Sequence, residues 1–267
     1  MLLQSTQTTV KVSQLVKLTV VVPCFNEEAS LDQLTERLKT LKTAFAELLD
    51  LEVVFVDDGS TDTTASGLEN RFQQYPWARV VRHESNQGIS AAILTGIKNA
   101  SNELVASIDA DCTYDPLQIN TLVEKMDASV AMVTASPYHP QGSVEGIPAW
   151  RLVLSRTASR LYAILLGTSL HTYTSCFRIY RRSLITDLDL RERGFVGVAE
   201  LLWQVQRTGG KIVEAPVHLT SRRVGFSKMR TMPVIYSHFK LMNRILFDRV
   251  LKSTRNPNRK TGVSSKT

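Results

Sequence analysis

The 267-residue chain is 43% hydrophobic and 21% charged, a globular balance that excludes wholesale disorder and suits one large α/β domain or two small ones. Lys and Arg outnumber Asp and Glu by 32 to 25, but the excess is local: residues 222–267 hold twelve basic residues and one acid, Asp248, for a net +11, which leaves −4 on residues 1–221. Cys24, Cys112 and Cys176 are far apart and form no CxxC pair. They suggest neither a disulfide framework nor a zinc site and fit a reducing, cytoplasmic compartment. The N-terminal residues contain no signal-like apolar stretch, and no apolar run approaches the roughly 18 residues that cross a bilayer.

Residues 1–17 are polar and Thr/Gln-rich and are expected to form a flexible leader. Leu18–Val22 is a nearly continuous β-branched run ended by Pro23, the pattern of a strand buried on both faces of a parallel sheet. Asn26 is placed to cap a helix in which Leu31, Leu34, Leu38, Leu41 and Phe45 recur at helical spacing. Leu51–Val56 reads as a second strand, stopped by Asp57-Asp58-Gly59-Ser60. A helix over about 63–72 follows, then a short strand at Arg79–Arg82, a helix over Ile89–Ala100 and a strand at Leu104–Ile108, closed by Asp109-Ala110-Asp111. The Pro/Gly-rich stretch from about 137 to 148 reads as a mobile loop. Beyond it come a helix over Ala149–Leu166 carrying Arg151, Arg156 and Arg160, and a strand at Cys176–Tyr180. A helix over Gly197–Thr208 ends at Gly209-Gly210, and a strand over Lys211–Leu219 is interrupted by Pro216.

Strands alternating with helices predict βαβ units, right-handed crossovers and an open, mostly parallel, doubly wound α/β sheet. Such sheets bind ligands outside the carboxyl ends of their strands. Residues 23–27, 57–60 and 109–111 all fall there, so carboxylates distant in sequence converge on one edge. Two acids flanking a small residue suit a hard cation such as Mg²⁺ or Mn²⁺, which takes oxygen ligands and also binds substrate phosphates; alone, the same residues also fit a solvated acidic turn. Asp57 and Asp58 can accept hydrogen bonds from a nucleobase or ribose while Gly59 permits a sharp turn, although an ordinary Asp/Gly/Ser turn has the same composition. The accumulation tilts the balance, because several acidic strand ends repel one another unless a cation or donor-rich ligand sits among them.

Four blocks, Val21-Val22-Pro23-Cys24-Phe25-Asn26-Glu27-Glu28, Val56-Asp57-Asp58-Gly59-Ser60, Asn86-Gln87-Gly88 and Asp109-Ala110-Asp111, resemble in order and spacing the family 2 inverting glycosyltransferases of GT-A (Rossmann-like) fold. Tyr173-Thr174-Ser175-Cys176-Phe177-Arg178 resembles the family's TSGFR-type block. Arg222-Arg223-Val224-Gly225-Phe226-Ser227-Lys228 resembles the RxxGxSK block of the polyprenyl-phosphate hexose synthases, typified by dolichyl-phosphate mannose synthase. The resemblance implies a GT-A domain over 18–230, with a nucleotide-sugar half (18–136) and an acceptor half (137–230). It implies that Pro23, Phe25 and Glu27 border the nucleoside with Asp57 at the base, and that Asp109 and Asp111 hold Mg²⁺ or Mn²⁺ and the donor diphosphate. Arg222, Ser227 and Lys228 would meet phosphate oxygens, Arg156 the acceptor phosphate, and Glu200 would stand near the acceptor. Three departures fall on the acceptor side: Thr113 where a Gln or Ser is frequent two residues after the second metal Asp, Cys176 where glycine is usual, and His171-Thr172 where an acid is common.

The expected reaction is single-displacement transfer of a hexose from a nucleotide-diphosphate sugar to a polyprenyl phosphate; a saccharide hydroxyl acceptor would need a carboxylate base such as Glu200. Residues 231–252 show apolar positions at helical spacing with Lys240, Arg244, Arg249 and Lys252 interspersed. This is an amphipathic helix that either contacts an anionic membrane from the cytoplasmic side or covers the domain. Residues 253–267 form a basic tail. A phospho-accepting receiver would be about half this length, a dinucleotide oxidoreductase would need GxGxxG after the first strand, and an acidic cleft disfavours nucleic acid as partner.

Overall fold

The computed structural model describes residues 15–221 and 231–255. Its centre is a seven-stranded sheet of order β3-β2-β1-β4-β7-β5-β8. β1 (Val16–Cys24), β2 (Leu49–Asp57), β3 (Ala78–Arg82) and β4 (Leu104–Ser107) are mutually parallel. β7 (Arg178–Arg181) runs antiparallel between β4 and β5 (Val130–Ser136), and β8 (Lys211–Pro216) is parallel to β5. This is the open, mostly parallel α/β sheet that the alternation of patterns predicts.

Both faces are covered. Leu18, Val20 and Val22 of β1 pack with Leu34, Leu38 and Leu41 of α1 (Leu31–Ala44), Leu68 and Phe72 of α2 (Thr64–Phe72) and Ile119 and Leu122 of α4 (Ile119–Val123). Val21 and Val54 point the other way, as period-two alternation demands. They join Ile93 and Ile97 of α3 (Ile89–Asn99), Tyr162 of α5 (Ala149–Leu166), Leu201 and Leu202 of α6 (Phe195–Arg207), and Leu241 and Ile245 of α7 (Thr231–Arg255). With both faces buried, the strands read as continuous apolar runs.

Several boundaries differ from the sequence-based expectations. β1 begins at Val16, two residues before the expected Leu18, and residues 1–14 of the expected leader lie outside the described residues. β5 has no counterpart in the pattern reading: all seven of its residues are buried, and a uniformly buried run carries no alternation to mark it. Pro216 ends β8, and the chain continues as β9 (His218–Thr220), which pairs with β6 (Ser143–Glu145) in a separate two-stranded sheet. The 137–148 stretch, expected to be a mobile loop, is therefore anchored through β6. Asn26 is not a helix cap; a 3-10 turn over Glu28–Ser30 precedes α1, and Asn26 has a different task at the site. No helix among the described residues is long and apolar enough to cross a membrane.

Candidate active site

The carboxyl ends of β1, β2 and β4 carry the motif residues, and a hydrogen-bond framework positions their loops. Asn26 adopts a left-handed backbone (φ 53°), uncommon for a residue with a Cβ and a mark of a constrained turn. Its Oδ1 accepts the Thr61 amide at 2.7 Å and its own amide donates to Ser60 Oγ at 2.9 Å, clamping the β1 loop to the β2 loop. Asp58 is buried; its Oδ1 accepts from His83 Nδ1 (2.7 Å) and the Gln87 amide (2.8 Å), and its Oδ2 from the Gly88 amide (2.8 Å). His83 Nε2 lies 2.9 Å from Thr95 Oγ1 on α3. Gly88 has φ +95°, and an added Cβ would lie 2.4 Å from the Arg193 carbonyl oxygen. That carbonyl in turn accepts the Ser90 amide at the start of α3, so the 191–194 loop seats directly on the Asn86–Gly88 turn.

After β4 the chain alternates: Ile108, Ala110, Cys112 and Tyr114 are buried while Asp109, Asp111 and Thr113 are half-buried on the opposite side. Asp109 and Asp111 line a cavity of about 620 Å³ together with Pro23, Phe25, Glu27 and Asp58. Six of the expected residues are thus brought to one space. Asn86, Gly88, Thr172, Thr174, Ser175 and Cys176 also line it. Arg178, fully buried, braces that last segment by donating to the Tyr173 carbonyl (2.7 Å) and the Val198 carbonyl (2.6 Å).

This cavity is contiguous with a mostly apolar groove of about 430 Å³ between α5 and α7, lined by Trp150, Leu154, Leu161, Val234, Ile235, Phe239 and Met242. Tyr138, Arg151, Ser155, Thr174 and Phe195 belong to both spaces. Arg151 Nε is shielded from solvent with no hydrogen-bond partner among the described residues. Unpartnered buried donors are rare and call for a reason; a ligand anion at the junction would supply the acceptor.

The family profile for glycosyl transferase family 2 matches residues 19–189. The chain belongs to glycosyl transferase family 2. Among its relatives, the polyprenol monophosphomannose synthase of Mycolicibacterium smegmatis is 29% identical over 83% of this chain and 84% of its own. The undecaprenyl-phosphate 4-deoxy-4-formamido-L-arabinose transferase of an Enterobacter species is 32% identical over 95% of this chain and 72% of its own. In structure the fold is similar to glucosyl-3-phosphoglycerate synthase of Mycobacterium tuberculosis, solved with Mn²⁺, UDP and phosphoglyceric acid (TM-score 0.62, 22% identity, 88% of this chain and 78% of that one).

Not every expected residue of this glycosyltransferase reaches the cavity. Asp57 does not line it: the carboxylate is fully buried, with Oδ1 accepting the Ser60 amide (3.2 Å) and Oδ2 3.1 Å from Arg82 Nε. Glu200, expected near the acceptor, lines neither the cavity nor the groove. It is 1% exposed, and its two oxygens accept from the Glu192 amide (2.8 Å) and Arg244 Nη2 (2.6 Å), because the inward face of α6 packs against α7. Arg156 is one step removed, its guanidinium 5.1 Å from the ring of Tyr138, which does line the cavity. Arg222, Ser227 and Lys228 lie outside the described residues. Among the residues that line or brace the site but that the expected set lacked are Arg151, Ser155, Thr174 and Arg178.

The pair of carboxylates fits a divalent cation of the hard, oxygen-loving class. No cluster of three or more His, Cys, Asp or Glu among the described residues forms a closed cage, and Mg²⁺-type sites made of one or two carboxylates are completed by water and substrate phosphate. The cysteines at the site are poor nucleophiles. Burial, reinforced by Glu27 and Asp57, holds the Cys24 thiol well above its usual range, and burial with Asp109 nearby does the same to Cys176. Both therefore remain protonated near neutrality.

Proposed function

We propose that this glycosyltransferase moves a hexose from a nucleotide-diphosphate sugar to a polyprenyl phosphate, with inversion at the anomeric carbon. The observation that carries the reading is the joining of a carboxylate-edged cavity to a more strongly apolar groove, with Arg151 and Ser155 at the junction. A lipid phosphate has the same division, an anionic head on an apolar chain. Arg is suited to forked contact with phosphate oxygens. The polyprenyl- and undecaprenyl-phosphate activities in the names of the sequence relatives support the same acceptor class.

In this reading Pro23, Phe25, Glu27 and the turn held by Asp58 seat the nucleoside. Asp109 and Asp111 would hold the Mg²⁺ or Mn²⁺, which when bound would supply charge neutralisation for the departing diphosphate. Arg151 and Ser155 orient the acceptor phosphate. One of its oxygens forms the new bond to the anomeric carbon as the carbon–oxygen bond to the nucleoside diphosphate breaks, which leaves with the electron pair. A phosphate oxygen is already anionic at neutral pH and requires no general base, consistent with Glu200 being committed to Arg244 and the Glu192 amide. A saccharide hydroxyl would require one. The exposed apolar side chains of α5 and α7, among them Trp150, Ile164, Tyr236 and Phe247, would rest at the cytoplasmic surface of a membrane where such a lipid resides.

The test is a transfer assay with Mn²⁺ and a panel of UDP- and GDP-hexoses, offering undecaprenyl phosphate, phosphoglyceric acid and a free saccharide as separate acceptors. The expected product is an organic-soluble hexosyl phosphodiester of inverted configuration. Transfer only to the saccharide or to phosphoglyceric acid would reject the lipid acceptor.

A further inference from the structure

We propose that Thr113 is a positioning residue for the cation site, fixing the Asp111 carboxylate instead of binding the ion itself; the inference rests on the reading of Asp109 and Asp111 as the residues that hold it. The Thr113 amide and Oγ1 donate to the same atom, Asp111 Oδ1, at 3.0 and 2.9 Å. Two donors from one residue set the plane of that carboxylate. The hydroxyl proton is spent in this contact, and a neutral hydroxyl is a weaker partner for a hard dication than the carboxylate it supports.

Thr113 is itself held. Its carbonyl accepts from the Thr220 amide at 3.0 Å and from Thr220 Oγ1 at 3.2 Å, and Tyr114 bridges to Leu219. One residue back, Cys112 has a left-handed backbone (φ 52°) and is buried. The turn is thus constrained on the protein side by a packed thiol and on the other by β9. Alternation then leaves Asp109, Asp111 and Thr113 on the cavity side. Partners of metal-holding carboxylates contribute about 10–100-fold in metal affinity or activity, and this geometry assigns that contribution to a threonine hydroxyl.

The experiment measures Mn²⁺ binding by water-proton relaxation in the presence of UDP or GDP and with no acceptor, so that nothing turns over. Melting temperatures of all variants are recorded alongside. Thr113→Val and Thr113→Ala should weaken Mn²⁺ binding by about 10–100-fold without a matching loss of melting temperature, and Thr113→Ser should bind close to wild type. Combined with Asp111→Asn, Thr113→Val should add nothing further, since a residue acting through Asp111 has no effect once that carboxylate is gone. Unchanged binding in both hydroxyl-free variants overturns the proposal. Full additivity with Asp111→Asn also overturns it, because Thr113 would then be an independent ligand. If the wild-type protein takes up no Mn²⁺ with either nucleotide, the reading of Asp109 and Asp111 fails first and the proposal falls with it.

Discussion

Arg151 sits where two solvents meet: polar atoms of the sheet edge on one side, hydrocarbon of α5 and α7 on the other. A guanidinium whose Nε has no hydrogen-bond partner among the described residues is well placed to receive an anion. Arg151→Met keeps much of the side-chain volume and removes the charge. The KM for the lipid phosphate should rise by about 30-fold, corresponding to the ~2 kcal/mol of a hydrogen bond to a charged group, while nucleotide-sugar affinity, measured by calorimetry without acceptor, stays at the wild-type value. Equal weakening of both substrates would place Arg151 elsewhere in the reaction. The sequence drew attention to Arg156 instead. Five residues on a helix turn the side chain through about 140°, so one of the two faces the junction and the other does not, and only packing decides which. Glu200 illustrates the same limit. A carboxylate on a helix reads equally well as a base or as half of an ion pair until its neighbour from another element is known.

The helices α5, α6 and α7 show what elements add. Each is legible alone from its 3.6-residue periodicity, and α5 spans the expected Ala149–Leu166. Their adjacency is not legible, because it is made by long-range contacts: Arg244 to Glu200, Arg249 Nη1 to the Leu165 carbonyl at the end of α5 (3.0 Å), and Tyr162 Oη to His238 Nδ1 (2.8 Å). These contacts, with the buried packing of Leu241 and Ile245, hold α7 beside α5 and α6 and so shape the groove. Arg244→Met leaves Glu200 buried and unpaired, and breaking such a pair from one side costs about 3 kcal/mol. Urea denaturation should show that loss, with most of it recovered in the Arg244→Met/Glu200→Gln double variant. A double variant as unstable as the single would mean that the arginine acts through its packing and not its charge. The strand ends, by contrast, were readable from sequence because the acids, glycines and small residues there occupy a topologically fixed place, the carboxyl edge of a parallel sheet.

Across the whole molecule, stability and function occupy opposite poles of the sheet. Glu52, near the amino end of β2, accepts hydrogen bonds from Thr19 and from the Ser101 amide and hydroxyl and pairs with Arg79. Burial opposes its ionisation, but these donors outweigh burial and hold its pKa down at about 2 against an ordinary 4.5. A depressed carboxylate stabilises the fold above its unfolded pKa and loses that contribution as pH falls from about 4.5 toward 2. Because solvent screens the pair, Glu52→Gln should cost only about 1 kcal/mol at pH 7, a difference that shrinks toward pH 2 in acid-dependent unfolding curves. Transfer activity at neutral pH should not change, since the residue is remote from the site.

Helix α7 carries part of the uneven charge seen in the sequence, Lys240, Arg244 and Arg249. Ile164 on α5 and Phe247 on α7 are 73% and 66% exposed, and Arg160, Lys240 and Arg249 lie on the same two helices. Apolar side chains beside cations match an anionic bilayer surface, where each basic residue contributes about 1 kcal/mol and each buried large apolar side chain about 1.5–3 kcal/mol. The protein should therefore float with vesicles containing anionic lipid, less with zwitterionic vesicles, and progressively less as salt is raised. Ile164→Asp/Phe247→Asp should weaken vesicle binding by about a hundredfold or more. Neither side chain lines the groove, so transfer to a short-chain, water-soluble polyprenyl phosphate should survive in this variant while transfer to long-chain acceptor in vesicles falls. Equal flotation of variant and wild type would mean that the apolar stripe is not the membrane-facing surface. Loss of activity on the soluble acceptor as well would mean that the stripe serves the catalytic domain itself.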